Sequence, residues 1–189
     1  MAILHSSMGN FYSYNSLHGI LNKQKETCAV KLLLTIFFFF SIPVDDCSTF
    51  YLIRHAEKVR TNKSDRDPKL NEKGILRALN WKNYFIDKDI SKIYSTNYNR
   101  TLETVKPIQK AIGLNTILYS PSSIDYKDFI SSNKGEIVLV VGHSNTIPNF
   151  VNELINDQVY TQIDDLNNSN LYIVNMCDSN ISHNLIEVN

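Results

Sequence analysis

Glycine-rich nucleotide-binding loops are absent from this sequence. Its 189 residues include only six glycines, and neither G-x-G-x-x-G nor G-x-x-x-x-G-K-[ST] occurs, which excludes the usual dinucleotide-binding and P-loop proteins. An excess of charge is also lacking, because 19 Lys and Arg residues balance 19 Asp and Glu residues. A neutral chain has no electrostatic footprint for DNA or RNA, and we expect no nucleic acid partner.

Cysteine is scarce as well. The three cysteines, Cys28, Cys47 and Cys177, form neither a C-x-x-C pair nor a zinc-ligand spacing, and an odd number cannot all pair within one chain. We therefore expect neither a disulfide scaffold nor a structural zinc site. Cys177, in a late strand or turn, is interpreted as a buried inert thiol.

The first 48 residues differ in composition from the rest. Residues 32–44 form an apolar run that follows Lys31 and precedes two aspartates. The run is too short for a membrane-spanning helix, which needs about 20 apolar residues, whereas a basic region before a short apolar core is typical of a secretory signal. We predict an N-terminal extension at residues 1–48 and an exported protein, periplasmic or otherwise extracytoplasmic.

Other interpretations of this extension stay open. The cleavage site is poor, so an uncleaved, membrane-associated N-terminus is an alternative, and Cys47 is a candidate lipid-anchored cysteine although aspartates precede it. If the run is a buried core element instead, the protein is cytoplasmic. The apolar run also begins far from the first residue for a signal sequence. We therefore predict that translation starts at Val30 and that residues 1–29 are an over-extended gene start.

From residue 49 onward, short apolar runs alternate with amphipathic segments. Strands are predicted at 50–53, 90–95 and 137–141, and helices at 72–86 and 101–112. Further elements are a weak strand at 116–119, helices at 124–132 and after residue 145, and late strands at 171–176 and 184–188. This order predicts one α/β domain at residues 49–189, a three-layer α/β/α sandwich with a mostly parallel central sheet. Within the second helix, Pro107 is expected to cause a kink or a split, and Gly113 to end it.

Arginine and histidine residues follow the ends of the predicted strands. Arg54 and His55 follow the first strand, His143 follows the strongest one, and Arg100 opens the helix after the second. Ligands of such sheets bind beyond the carboxyl ends of the strands, so we expect these four residues to converge. Taken singly, each also has an ordinary interpretation, as a surface charge or a core histidine.

The chemistry of this set suits a phosphoryl group. The arginine fork matches phosphate oxygens, and a neutral imidazole is a competent nucleophile. Gly142 would let a ligand approach the backbone closely, and Ser144 and Asn145 open a helix whose N-terminal amides favour an anion. Two arginines would repel a cation, so we predict a phosphoryl pocket with a histidine nucleophile, no metal and no cofactor.

Four sequence blocks, in order, resemble the histidine phosphatase superfamily, also called phosphoglycerate mutase-like. They are R-H-A-E at 54–57, D-P-K-L-N-E-K-G at 67–74, R-T-L-E-T at 100–104 and V-V-G-H-S-N at 140–145. The chain also resembles the small phosphohistidine phosphatases of this superfamily in size and in the lack of a large insertion. The resemblance implies a phosphoglycerate mutase-like fold.

The resemblance also implies individual roles. His55 looks like the nucleophile that becomes phosphohistidine, while Arg54, Arg100 and His143 would bind the phosphoryl group and stabilise its transition-state charge. The residues assigned to substrate binding are Glu57, Ser144 and Asn145. Of these, Glu57 matches the acid of the signature and would orient its neighbours.

The general acid of the superfamily has no clear counterpart. Mutase-like members carry it in an insertion after the second helix, but here only residues 115–135 join the third strand to the fourth. Asp125 is our candidate, with Asp67 and Glu57 as alternatives. The short connection predicts an open pocket and hence a small phosphorylated substrate or a phosphoprotein.

We therefore predict a metal-independent phosphatase, a phosphoric monoester hydrolase that uses a phosphohistidine intermediate. Two other functions stay open: a non-catalytic phosphate-ligand binding protein on the same fold, and a phosphomutase. The mutase is disfavoured because it must hold its intermediate away from water. The oligomeric state cannot be predicted from the sequence.

Overall fold

The computed structural model describes residues 47–178 and 180–189. The signal-like run at 32–44, Val30 and Cys28 lie outside the described residues, so the expectations for the N-terminal extension stay predictions. In the part of the chain that the structure describes, no helix has the length and apolar character needed to cross a bilayer.

The described elements follow the predicted alternation. They are β1 (Ser48–Arg54), α1 (Glu72–Phe85), β2 (Lys92–Ser95), α2 (Asn99–Ile112), β3 (Thr116–Leu118), α3 (Tyr126–Ser132), β4 (Ile137–Gly142), α4 (Thr146–Ile155), β5 (Asn170–Cys177) and β6 (Asn180–Glu187). Every predicted helix and strand is present, with ends displaced by a few residues.

One six-stranded sheet has the order β3-β2-β4-β1-β5-β6. The first four strands in this order run parallel, and β5 and β6 are antiparallel additions at one side. In the register of β1 with β4, Arg54 lies opposite Gly142, and Ser95 of β2 lies opposite Val141. The carboxyl ends of β1, β2 and β4 therefore meet at one edge, and the predicted mostly parallel sheet is confirmed.

Helices cover both faces of the sheet. Trp81 and Phe85 of α1 and Ile108 of α2 pack on one face, while Phe129 of α3 and Phe150 of α4 pack on the other, with ring centroids 5.0 Å apart. Because successive side chains of a strand point to opposite faces, a strand in this position must be apolar on both. This explains the continuous apolar runs of β1 and β4, and it confirms the three-layer sandwich.

The ends of α1 and α2 follow from their sequences. Asn71 caps α1 by accepting a hydrogen bond from the amide of Gly74. A Cβ on Gly74 would lie 2.0 Å from the carbonyl oxygen of Glu57, so only glycine allows α1 to pack this closely. Gly113 ends α2 in the left-handed region, at φ 74°, as predicted. The helix is not split at Pro107, which removes only the hydrogen bond to the carbonyl of Glu103.

A disulfide links Cys47 to Cys177, across a sequence separation of 130 residues. Cys47 precedes β1 and Cys177 ends β5, and these strands pair antiparallel with Ser48 opposite Met176. The two cysteines are therefore opposite each other, with Cα atoms 4.2 Å apart. The interpretation of Cys177 as an inert thiol is wrong, because spacing along the chain does not reveal which strands are neighbours.

Candidate active site

His55 lies just beyond the end of β1 and is 3% exposed. Its backbone amide donates to the carbonyl of Gly142 at 2.9 Å, and its ring Nδ1 lies 2.7 Å from the carbonyl oxygen of Ala56. A carbonyl only accepts, so Nδ1 carries the proton and Nε2 keeps its lone pair. Burial lowers the pKa of His55 to about 3, partly opposed by the Ala56 hydrogen bond and helped by the charge of Arg54. The ring is therefore neutral at physiological pH.

His143 follows β4 and faces His55, with ring centroids 5.6 Å apart. Its Nδ1 lies 3.4 Å from Nη2 of Arg100, and its Nε2 lies 2.9 Å from Oγ1 of Thr96. An arginine only donates, so Nδ1 accepts and Nε2 donates to the hydroxyl. Burial, followed by the charge of Arg100, lowers the pKa of His143 to about 4. A bound dianion would oppose both causes and favour protonation of this ring.

Arg54, the last residue of β1, is held by the loop of residues 156–169 between α4 and β5. Its Nη1 donates to the carbonyls of Asp164 and Asn167, at 2.8 and 2.9 Å, and its Nη2 donates to the carboxylate of Asp165 at 2.8 Å. Its Nε is buried without a partner in the described structure. One donor of this fixed guanidinium is therefore without an acceptor in the described structure.

Arg100 lies in the first turn of α2. Its guanidinium stacks over the ring of Tyr98 at 4.4 Å from the centroid, lies 3.5 Å from the carboxylate of Asp67, and has a buried Nε with no partner among the described residues. Thr104, one turn later, donates to the carbonyl of Arg100 and accepts from the amide of Ala56. The R-T-L-E-T block therefore joins the start of α2 to the R-H-A-E segment.

A cavity of about 650 Å³ opens at this edge of the sheet. Six of the predicted site residues line it: Arg54, His55, Arg100, His143, Ser144 and Asn145. The sheet brings them together as the strand ends predicted, although their chemical roles stay predictions. Within residues 47–178 and 180–189, no cluster of three or more His, Cys, Asp or Glu side chains is arranged to hold a metal ion.

Glu57 does not reach the cavity, contrary to its assignment to substrate binding. Its carboxylate accepts from Nε of Arg77 at 2.9 and 3.0 Å and lies 3.3 Å from Nζ of Lys73. Both partners come from α1, which packs against the R-H-A-E segment. Hydrogen bonds from its own amide and from Arg77 outweigh burial and hold the pKa of Glu57 below its usual value. Glu57 is a structural anchor for α1.

The geometry does not support Asp125 as the general acid. Asp125 caps α3, where its Oδ1 accepts from the amides of Lys127 and Asp128, and it is not among the residues that line the cavity. The alternative Asp67 is also engaged, since it accepts from the amide of Asn99 at 2.7 Å at the start of α2. Both carboxylates satisfy helix N-termini, a role for which Asp is favoured.

Gly142 is packed closely by its neighbours within the protein. A Cβ at this position would lie 2.8 Å from the hydroxyl of Tyr119 and 2.9 Å from Ile147. Tyr119 lines the cavity, and its buried hydroxyl has no partner in the described structure. The glycine therefore makes room for this phenol, which sequence reasoning did not single out.

Sequence reasoning also missed other residues that line the cavity. They include Lys58, Thr96, Tyr98 and Asp165. The first three adjoin the recognised blocks, so a wider window around each block would have included them. Asp165 lies in the loop before β5 with no local motif, and only the tertiary structure brings it to the site.

Asp165 is the one carboxylate among the described lining residues of the cavity. Its Oδ1 lies 2.8 Å from Nη2 of Arg54 and its Oδ2 lies 2.5 Å from Nη1 of Arg60. Hydrogen bonds from Arg60 and Arg54 hold the pKa of this carboxyl well below its usual range. Asp165 is therefore ionised and, in this arrangement, positions the two arginines rather than donating a proton.

The chain is similar to one known protein family and to several solved structures. Residues 50–120 match the model of the histidine phosphatase superfamily, branch 1. A search of curated proteins finds no match. Among solved structures, SixA from Agrobacterium tumefaciens superposes with a TM-score of 0.54 and 19% identity, over 73% of this chain and 97% of that one.

Two further structures have the same fold. The protein histidine phosphatase SixA complexed with tungstate has a TM-score of 0.58 and 18% identity, over 74% of this chain and 96% of its own. Phosphoglycerate mutase from Bacillus anthracis str. Sterne has a TM-score of 0.58 and 16% identity, over 75% and 93%. At such identities these structures establish the phosphoglycerate mutase-like fold. Together with the family model over residues 50–120, they confirm the resemblance to the histidine phosphatase superfamily.

Proposed function

We propose that the protein is a metal-independent phosphatase that hydrolyses a phosphomonoester or a phosphoprotein through a phosphohistidine on His55. One observation carries the proposal. The hydrogen bond from Nδ1 of His55 to the Ala56 carbonyl leaves Nε2 with its lone pair, in a cavity also lined by Arg54, Arg100 and His143. A neutral nucleophile beside three cationic or hydrogen-donating groups suits attack on a phosphate dianion.

In the first step, the lone pair of His55 Nε2 attacks phosphorus. The bond from phosphorus to the leaving oxygen breaks, and that oxygen takes the electron pair and then a proton from solvent water. The unpartnered Nε donors of Arg54 and Arg100 and the ring of His143 would bind the nonbridging oxygens, where charge is spread in the transition state. In the second step, water attacks phosphorus and loses a proton to solvent, the N–P bond breaks, and its electron pair returns to Nε2.

Leaving groups that need little protonation suit this cavity best. The described carboxylate that lines it, Asp165, is ionised and engaged with Arg54 and Arg60. With no neutral carboxylic acid among the described lining residues, we expect aryl phosphates, acyl phosphates or phosphoramidates to react faster than simple alkyl esters. A phosphohistidine-bearing protein belongs to this class, and the protein histidine phosphatase SixA shares the fold.

We also propose that the protein is exported, periplasmic or otherwise extracytoplasmic. Disulfides persist in oxidising compartments and are rare in the cytosol, and the Cys47–Cys177 bond supports that location. It also disfavours lipid attachment at Cys47, whose sulfur is already bonded. The location can be tested by fractionating the native host. Peptide mapping of the recovered protein under non-reducing conditions then tests whether Cys47 is bonded to Cys177. A cytosolic protein with free Cys47 and Cys177 would contradict the proposal.

Hydrolysis of para-nitrophenyl phosphate by the full-length chain, in excess chelator, tests the catalytic proposal. We expect His55→Ala to lower kcat by on the order of 10³-fold or more, because the nucleophile is lost. His183→Ala is the matched control, since His183 lies on the exposed strand β6 and pairs with the hydroxyl of Tyr160. Labelling with ³²P substrate and rapid quenching in alkali, which preserves an N–P bond, is expected to trap phosphohistidine in the parent only.

Other outcomes would favour the alternatives. Phosphate binding without turnover of any activated phosphate would indicate a binding protein. Transfer of the phosphoryl group to an added alcohol in preference to water would indicate a mutase. An unchanged rate in His55→Ala would show that the nucleophile is misassigned.

A further inference from the structure

Lys58 is a cation in the cavity that the proposed phosphoryl chemistry does not use. It follows the R-H-A-E segment directly, and its backbone is tied to Leu70 by an isolated β-bridge. Its side chain lines the same cavity as His55. No hydrogen bond or ion pair of its ammonium group is present within the described residues, although the segment on either side of it is well anchored.

The charges around Lys58 are mostly of its own sign. Arg100, Arg60 and Arg54 each disfavour its protonated form, and Asp165 alone favours it. Burial is the largest cause, and the pKa of Lys58 is lowered from its usual value. The positive charges of Lys58 and the three arginines repel one another, and a bound anion would reduce this repulsion.

The arginines near Lys58 each face a carboxylate. Arg54 and Arg60 contact Asp165, at 2.8 and 2.5 Å, and Arg100 lies 3.5 Å from Asp67. Lys58 is the cation of the described cavity lining that has no such partner. The cavity, at about 650 Å³, also has room for much more than one phosphate. One cation and a large part of the cavity thus lie beyond the reacting centre.

We propose that Lys58 forms a subsite for a second anionic group of the substrate, next to the reacting phosphoryl group. Arg60, held at the same rim by Asp165, supplies the adjoining positive charge. The preferred substrate class is then a phosphorylated compound that carries another phosphate or a carboxylate close to the reacting phosphate. This inference rests on the proposed function for the position of the reacting group.

Binding of three small anions to the full-length chain, measured by calorimetry, tests the subsite without turnover. Methylphosphonate carries one anionic group, methylenediphosphonate carries two phosphonates, and phosphonoacetate carries a phosphonate and a carboxylate. We expect methylenediphosphonate to bind the parent about tenfold more tightly than methylphosphonate, because one added charge-assisted contact has about this effect on affinity. Comparison with phosphonoacetate distinguishes a phosphate-specific subsite from one that accepts any anion.

Substitutions at Lys58 are expected to remove this preference. Both Lys58→Met and Lys58→Gln should bring the two affinities to within about twofold of each other, while Lys58→Arg keeps them apart. Lys63→Met is the matched control, because it makes the same change in net charge on an exposed residue that does not line the cavity. The kcat for para-nitrophenyl phosphate should stay within about threefold of the parent in Lys63→Met.

The inference and the proposed function can fail separately. A preference for methylenediphosphonate that survives in Lys58→Met and Lys58→Gln, or that falls equally in Lys63→Met, would overturn the subsite even if His55-dependent turnover is intact. A Lys58-dependent preference in a protein without turnover would support the subsite while refuting the phosphatase.

Discussion

The two ends of strand β1 are built in opposite ways. At its start, Cys47 is bonded covalently to Cys177, and Ser48 accepts a hydrogen bond from the amide of Gly135. At its end, Arg54 and His55 are almost fully buried, yet Nε of Arg54 has no partner in the described structure.

The start of β1 is therefore stabilised by its contacts, whereas its end carries groups whose burial is unfavourable. A polar group buried without a partner costs about 1–3 kcal/mol, and depressed histidine pKa values reflect a similar penalty for charging. The covalent bond at the other end stabilises the same strand without contacting the cavity. A site with unsatisfied donors is thus carried by a strand that is secured at its other end.

The largest effect is expected at the cavity end, from Arg100→Met. Loss of the guanidinium beside His143 should lower kcat/KM for para-nitrophenyl phosphate by about 10²-fold or more, because a charge-assisted phosphate contact is lost in the transition state. Arg66→Met is the control, since Arg66 is exposed and contributes only its backbone carbonyl to this region. Equal rates in the two variants would remove Arg100 from the phosphate site.

Cys47→Ser perturbs the opposite end. We expect the free energy of unfolding to fall by about 3 kcal/mol, because the bond closes a long loop in the unfolded chain, while kcat/KM stays within about twofold of the parent. Denaturant unfolding with and without reductant measures the first quantity. Cys28→Ser, which leaves the Cys47–Cys177 pair intact, is the control. A parent that is insensitive to reductant would contradict this account.

The pH dependence of stability should come from the cavity end. An unfolded histidine has a pKa of about 6.5, whereas burial lowers those of His55 and His143 to about 3 and about 4. Between these values the unfolded chain binds protons that the folded chain does not, so the free energy of unfolding decreases as pH falls from about 6.5 towards 4.

His143→Gln removes one of the two titrating groups and should flatten this dependence. His183→Gln on β6 is the control, because His183 lies outside the cavity. Unfolding by denaturant at a series of pH values measures the effect. If the slope for His143→Gln equals that of the parent, the folded protein does not hold His143 neutral.

The smallest effect is expected from Asp125→Asn. Asparagine caps a helix about as well as aspartate, so stability should change by less than about 0.5 kcal/mol. Activity should also stay unchanged, because the Asp125 carboxylate lies at the start of α3 and not in the cavity. A large loss of kcat that grows with the pKa of the leaving group would restore Asp125 as the proton donor.

Much of the site follows from local patterns. Apolar runs place Arg54, His55 and His143 after strands, and parallel strands end at one edge, so their convergence is a consequence of strand direction. Glu57 shows the limit of such reasoning. It belongs to the signature block, yet its side chain pairs with Arg77 and Lys73 of α1, and which neighbour a side chain meets depends on how the helix packs.

Local sequence patterns predict the alternation of strands and helices, the mostly parallel sheet and the strand-end residues of the site, because hydrophobic periodicity and turn residues act over a few positions. Three other features depend on the folded chain: the bond between Cys47 and Cys177, the contacts of Asp165 with two arginines, and the position of Asp125 outside the cavity. These contacts join residues far apart in the chain. They depend on strand order and loop path, which local patterns do not encode.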